Sequence, residues 1–224
     1  AATKSEQPAA TAPAENTTKP AENTKQVEAP KTTETKVAAP KQTTQAQVST
    51  AREDQIKEAF LNKVVKLRQI NGLPALTPNA ALNVSSLKRS KDVSTSIIDG
   101  NIHGPNGTIQ YEKDAAKAAG YTKQILANVA ISGDYGTSEQ IAQRLFDILF
   151  KEIGNVVPAY PYGHRNTLLN ATATETGVGV TISNGQVYLV QHQNYDGHFN
   201  GTTPTPGKYL DGSNTVYLNG KPVR

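Results

Sequence analysis

The first 49 residues contain no aromatic residue, no leucine and no isoleucine, so any core this chain builds must come from residue 50 onward. The larger apolar residues of that stretch are Val27, Val37 and Val48. Burying three valines yields at most about 9 kcal/mol. Ordering a backbone of this length costs on the order of 50 kcal/mol or more. Residues 1–49 are therefore expected to form a disordered tail. Pro13-Ala14-Glu15-Asn16-Thr17 returns as Pro20-Ala21-Glu22-Asn23-Thr24, low-complexity sequence of the kind used as an extended spacer.

The 224 residues include no cysteine. That excludes a disulfide framework, a thiolate metal site and thiol catalysis. No apolar run approaches the roughly 18 residues that span a bilayer. The chain has no methionine and begins Ala1-Ala2, which fits a chain trimmed after its signal peptide and predicts an extracellular or cell-wall-associated protein. The net charge of +4 is scattered, with no lysine/arginine block. Such a surface favours weak contact with anionic polymers, and no nucleic-acid-binding motif accompanies it.

From Thr50 the pattern changes. Thr50 and Glu53 have capping-box spacing, and Ile56, Phe60, Val64 and Leu67 then fall on one helical face, with Gly72 as the stop. Thr77-Pro78 reads as an N-cap followed by proline at the first helical position, opening a second helix that runs toward Lys91. Its small residues, Ala81, Ser85 and Ser86, permit close packing. Asp99-Gly100, Gly104-Pro105 and Asn106-Gly107 mark a loop over 97–110. A short helix is expected from Tyr111 to Ala119 and a strand from Ile125 to Ile131. Thr137 and Gln140 form a second capping pair, ahead of an amphipathic helix carrying Ile141, Leu145, Ile148, Leu149 and Ile153 and ended by Gly154. Two strands, Thr176 to Ile182 and Gln186 to Gln193, are joined through the hairpin signal Asn184-Gly185. Gly177 and Gly179 alternate with Val178 and Val180. The valines are expected to bury on one face, and the glycines to admit a close neighbour on the other. Residues 196–224 are rich in Gly, Asn, Thr and Pro. They read as an extension with a short hairpin about Asn219-Gly220, which alone would be marginally stable.

Several segments, in this order, resemble the CAP superfamily, named for cysteine-rich secretory proteins, antigen-five allergens and pathogenesis-related proteins. The likeness is to its bacterial SCP-like extracellular branch. The segments are LNKVVKLRQINGLPALTPNAAL at 61–82, HGPNGT at 103–108, KAAGY at 117–121 with ILANVAI after it, GHRNTLLN at 163–170 and ETGVGV at 175–180. The resemblance implies an α+β fold over residues 50–195: a three-layer α-β-α sandwich around a mostly antiparallel sheet.

It also implies a cleft that gathers two histidines and two acidic residues, with zinc held by the histidines in some members. His103 and His164 match the histidines. Asn128 stands at the first acidic position, and an amide is a poor zinc ligand and no general base. Asp147 and Glu152 are the candidates for the second. Arg165 belongs to the GHR motif, and Tyr160 and Tyr162 flank Pro161 at the expected cleft mouth. Two imidazoles with carboxylate or water would leave an open zinc site, and His103 and His164 are the metal candidates. His192 and His198 read as incidental. No serine-nucleophile elbow, paired-histidine zinc helix or phosphate-cradling glycine loop is present.

Three functions follow from the resemblance. The first is a monomeric binding module whose cleft engages a cell-envelope polymer, a peptide or a small lipid. The second is a metal-dependent, peptidase-like hydrolase using the histidine pair. The third is an adhesion or host-interaction protein acting through the tail or the extension.

Overall fold

Four apolar residues spaced 4, 4 and 3 apart decide where the first helix lies. In the computed structural model, which describes residues 45–95, 102–105 and 108–223, Ile56, Phe60, Val64 and Leu67 are all at most 1% exposed. They line the inner face of α1 (Gln45–Ile70). The helix begins at Gln45, so Thr50 lies inside it and the expected capping box does not form. Glu53 instead accepts a hydrogen bond from the Ile182 amide, 2.7 Å away. Gly72, at φ +62°, turns the chain out as expected. The tail predicted over 1–49 lies, up to residue 44, outside the described residues. So do Asp99-Gly100 and Asn106-Gly107.

Thr77-Pro78 does not cap a helix. It forms the two-residue strand β1, parallel to the start of β3 (Glu175–Ser183). The cap falls two residues after Thr77, where Asn79 Oδ1 accepts the Leu82 amide at 3.1 Å and opens α2 (Ala80–Thr95). The remaining helices are α3 (Gln110–Ala118), α4 (Ser138–Phe150) and α5 (Gly163–Leu168). At α4 the Thr137–Gln140 capping box is complete in both directions. The helix stops at Phe150, before Ile153, because the chain reverses through Glu152 (φ +53°) and Gly154 (φ +74°). Ile153 is left 45% exposed.

The central sheet has the order β1-β3-β4-β2, with β2 spanning Ile125–Gly133 and β4 spanning Gln186–Asn194. The two long pairings are antiparallel. Asn184 and Gly185, at φ +51° and +72°, make the tight turn between β3 and β4. A short ladder of β5 (Tyr217–Leu218) with β6 (Lys221–Pro222) forms the predicted terminal hairpin.

The two faces of β3 explain the layering. A Cβ on Gly177 would sit 2.1 Å from the Leu82 carbonyl carbon, and one on Gly179 would sit 2.2 Å from the Leu87 amide nitrogen. The α2 backbone therefore lies directly on the glycine face. Val178 and Val180 point the other way, into the main core with α1 and α4. Both faces match the expectation from the Gly/Val alternation. The result is α2 and α3 on one side of the sheet and α1, α4 and α5 on the other: the three-layer arrangement implied by the resemblance.

The extension is tied to this sandwich. Tyr209 packs against Phe146 and Phe150, with ring centroids 6.1 and 5.3 Å away. The Asn71 side chain donates to the Lys208 carbonyl at 2.8 Å and accepts from the Lys208 amide at 2.6 Å.

Candidate functional site

The described contacts place the two motif histidines in different helical layers, each beside its own buried carboxylate. His103 follows the 96–101 stretch and is anchored by its carbonyl, which accepts the Tyr111 amide at 2.9 Å. Its Nδ1 lies 3.4 Å from Glu112 Oε1 on α3. That is within ion-pair reach but lacks the alignment of a hydrogen bond. Glu112 is fully buried and also meets Arg89 (3.2 Å) and His192 (2.8 Å). Burial is the largest influence on this carboxyl and would raise its pKa. Contact with His103 and His192 outweighs burial and holds the group below the ordinary carboxylate range.

His192 is not incidental. It sits fully buried on β4, with Nδ1 2.8 Å from Ser85 Oγ and Nε2 2.8 Å from Glu112 Oε2. Serine, histidine and carboxylate in this order mimic a nucleophile relay. All three, however, are 0% exposed, so no substrate reaches the hydroxyl. The trio stitches α2, α3 and β4 together. Ser85 was legible as a small residue at a close contact. Glu112 was not legible, because a glutamate in QYEKDAAKA reads as one of a solvated helix's charges.

His164 stands on the first turn of α5, with Nδ1 2.9 Å from Glu152 Oε2, again close but off-line. Each approach is an ion pair only when the imidazole carries its second proton. Glu152 is fully buried despite its left-handed backbone. The Arg165 amide holds its Oε1 at 2.8 Å, and the Asn155 side chain holds Oε2 at 2.7 Å. Of the two acidic candidates, Glu152 faces His164. Asp147 accepts the Tyr209 hydroxyl at 2.5 Å and pairs with Lys151.

The other expected cleft residues have other surroundings. Asn128 is fully buried on β2 and donates to Gln191 Oε1 at 3.2 Å. Gln191 and His192 are neighbours on one strand and so face opposite sides of the sheet. Asn128 therefore lies on the α4/α5 side, away from the layer that holds His103. Arg165 is fully buried and donates to the carbonyls of Thr205, Gly207 and Thr215, with Phe150 4.5 Å beneath its guanidinium. It fastens the extension rather than lining an open cleft. Tyr160 is 43% exposed and meets Phe199, while Tyr162 is half-buried. His198 is exposed beside Asp196.

Zinc, implied by the resemblance for His103 and His164, finds no three-ligand set: among the described residues, no three His, Asp or Glu are arranged to hold a metal ion. Glu112 already carries the Arg89 cation, which opposes a second positive charge beside it.

The sequence profile of CAP, the cysteine-rich secretory protein family, matches residues 61–195. This chain belongs to the CAP family. Among solved structures it is similar to an extracellular protein containing an SCP domain from Bacillus anthracis, at 21% identity and TM-score 0.41. That match covers 67% of this chain and 42% of the other. It is also similar to a cysteine-rich secretory protein from Staphylococcus aureus, at 13% identity and TM-score 0.40, covering 63% and 38%. A third is venom allergen-like protein 4 of Schistosoma mansoni, at 18% identity and TM-score 0.35, covering 70% and 95%. The chain thus spans about two fifths of the length of the two bacterial proteins. No curated protein matches it. Among the described residues, no helix is long and apolar enough to cross a membrane.

Proposed function

We propose that this CAP-family domain is an extracellular or wall-associated binding module whose recognition groups are the imidazoles of His103 and His164. One observation carries the reading. Each ring keeps part of its surface open, 27% and 20% of the side chain, while the carboxylate behind it is fully buried and held by other donors. A carboxylate beside Nδ1 favours the proton there and leaves Nε2 as the free polar atom. A fixed, half-open imidazole suits hydrogen bonding to a phosphate, carboxylate or amide of an envelope polymer, a peptide or a lipid headgroup.

Retention of the protein on isolated cell-envelope fractions tests the reading. Wild type is expected to bind, and His103→Ala or His164→Ala to weaken binding several-fold at a temperature where circular dichroism shows each variant folded. Equal retention of both variants overturns it. Zinc calorimetry separates the hydrolase reading. A stoichiometric site that disappears in His103→Ala would mean that the imidazoles serve a metal instead.

A further inference from the structure

α1 and α4 lie side by side and run in the same direction. Gln55 meets Ser138 near their starts, and Phe60 meets Phe146 further along. The extension crosses beyond, where Asn71 binds Lys208 and Tyr209 packs on Phe146 and Phe150. Between the two helices and Tyr209-Leu210-Asp211 lies a trough of about 530 Å³. That volume is within the range of small-ligand sites. Neither His103 nor His164 lines it, so nothing here rests on the imidazole reading.

The trough carries charges of both signs that are not paired with each other. Lys63 on α1 is answered by Glu139 on α4. Lys66, also on the α1 wall, is exposed and has no partner among the described residues. Asp211, on the extension, is exposed as well. Its Oδ1 accepts the Ser213 amide at 2.8 Å, and that amide foremost, with Lys151 adding a little, holds the carboxyl below its ordinary value. Lys151 itself pairs with Asp147 at 3.3 Å. One ammonium and one carboxylate are therefore left without a counter-ion in the same trough.

The neutral groups of the walls suit peptide units. Gln143 Nε2 donates to the Tyr209 hydroxyl at 2.8 Å and to Asp147 Oδ1 at 3.3 Å, which fixes the side chain and leaves its Oε1 to accept. The Asn62 amide has no partner among the described residues and can both donate and accept. Ala59 and Leu210 add apolar surface. A purely anionic ligand would meet Glu139 and Asp211, and a purely cationic one would meet Lys63 and Lys66. A ligand with both signs is the one these walls favour. We propose that the trough binds a short zwitterionic peptide with small side chains, its terminal carboxylate toward Lys66 and its terminal ammonium toward Asp211.

Trialanine is the probe. Titrated into the isotope-labelled full chain, it should shift the backbone amide resonances of Asn62, Lys66, Gln143 and Leu210 and saturate. Trialanine amide and N-acetyl-trialanine should each bind about two- to fivefold more weakly, the worth of one exposed ion pair. In Lys66→Gln the amide and the free acid should bind equally. In Asp211→Asn the acetylated and free peptides should bind equally. Both positions are exposed, so both variants should keep the wild-type circular dichroism. The absence of a saturable shift at these four residues overturns the proposal. Capping that leaves the affinity of the wild type unchanged does so too, as does a capping penalty that survives the matching substitution.

Discussion

Glu112 gathers three polar partners in the α2/α3 layer: Arg89, His103 and His192 approach it from a helix, a loop and a strand. Replacing it by glutamine leaves the buried Arg89 guanidinium with only the partly exposed Asp92 as counter-charge, which should cost about 2 kcal/mol. Urea unfolding at neutral pH should show that loss in full. Its pH dependence has a definite sign. The folded carboxyl lies below its unfolded value, so its stabilisation is complete above the ordinary carboxylate range and is lost as pH falls toward the folded value. The stability gap between wild type and Glu112→Gln should therefore narrow as pH drops below about 4. A gap that widens on acidification would show that the histidines are not holding the carboxylate charged. Arg165 makes the complementary case. Arg165→Lys keeps a charge but cannot reach three carbonyls with one ammonium or lie flat on Phe150. It should cost about 2 kcal/mol in urea unfolding, and a cost near zero would mean that the clamp contributes little.

At the level of the element, the glycine face of β3 is the most demanding contact. Gly177→Ala and Gly179→Ala each drive a methyl into the α2 backbone at distances that no side chain can relieve. Each should destabilise by about 2–3 kcal/mol, whereas Gly185→Ala, in open space at the hairpin turn, should cost only its positive φ, about 1 kcal/mol. Differential scanning calorimetry of the three variants ranks them. This face was readable because a period of two with alternating Gly and Val leaves few other arrangements. The α1 stripe and the α4 cap were readable for the same reason: one local rule decides each. Thr77-Pro78 was misread because the pairing of β1 with β3 depends on residues nearly a hundred positions away, and it moved the cap to Asn79. Glu112, Glu152 and His192 carry no periodic signal at all. Their burial follows from which helices meet them, so the polar network behind the two histidines appears only in three dimensions. His103 and His164 themselves came from motif likeness rather than from pattern.

For the whole molecule, the extension decides where the folding unit ends. The profile match stops at residue 195, yet residues 196–223 satisfy polar groups of the sandwich, two of them buried, Arg165 and Asn166. Arg165 uses three of the extension's carbonyls, Asn166 donates to those of Asn200 and Thr203, and Asn71 binds both backbone groups of Lys208. Tyr209 covers Phe146 and Phe150. Removing residues 196–224 would strand the buried Arg165 guanidinium and Asn166 amide, release the solvent-exposed Asn71 contact and bare an aromatic cluster in one step. Each orphaned polar group costs about 1–3 kcal/mol, so together they approach the 5–15 kcal/mol that hold an ordinary domain. The chain cut after residue 195 should therefore unfold at much lower urea than the full chain, or bind a hydrophobic dye without denaturant. Removing only residues 212–224 keeps Tyr209, Asn71's partner and two of Arg165's three acceptors, and should give an intermediate midpoint. If the cut at 195 leaves the midpoint where it was, the extension is an appendage and the sandwich is self-sufficient.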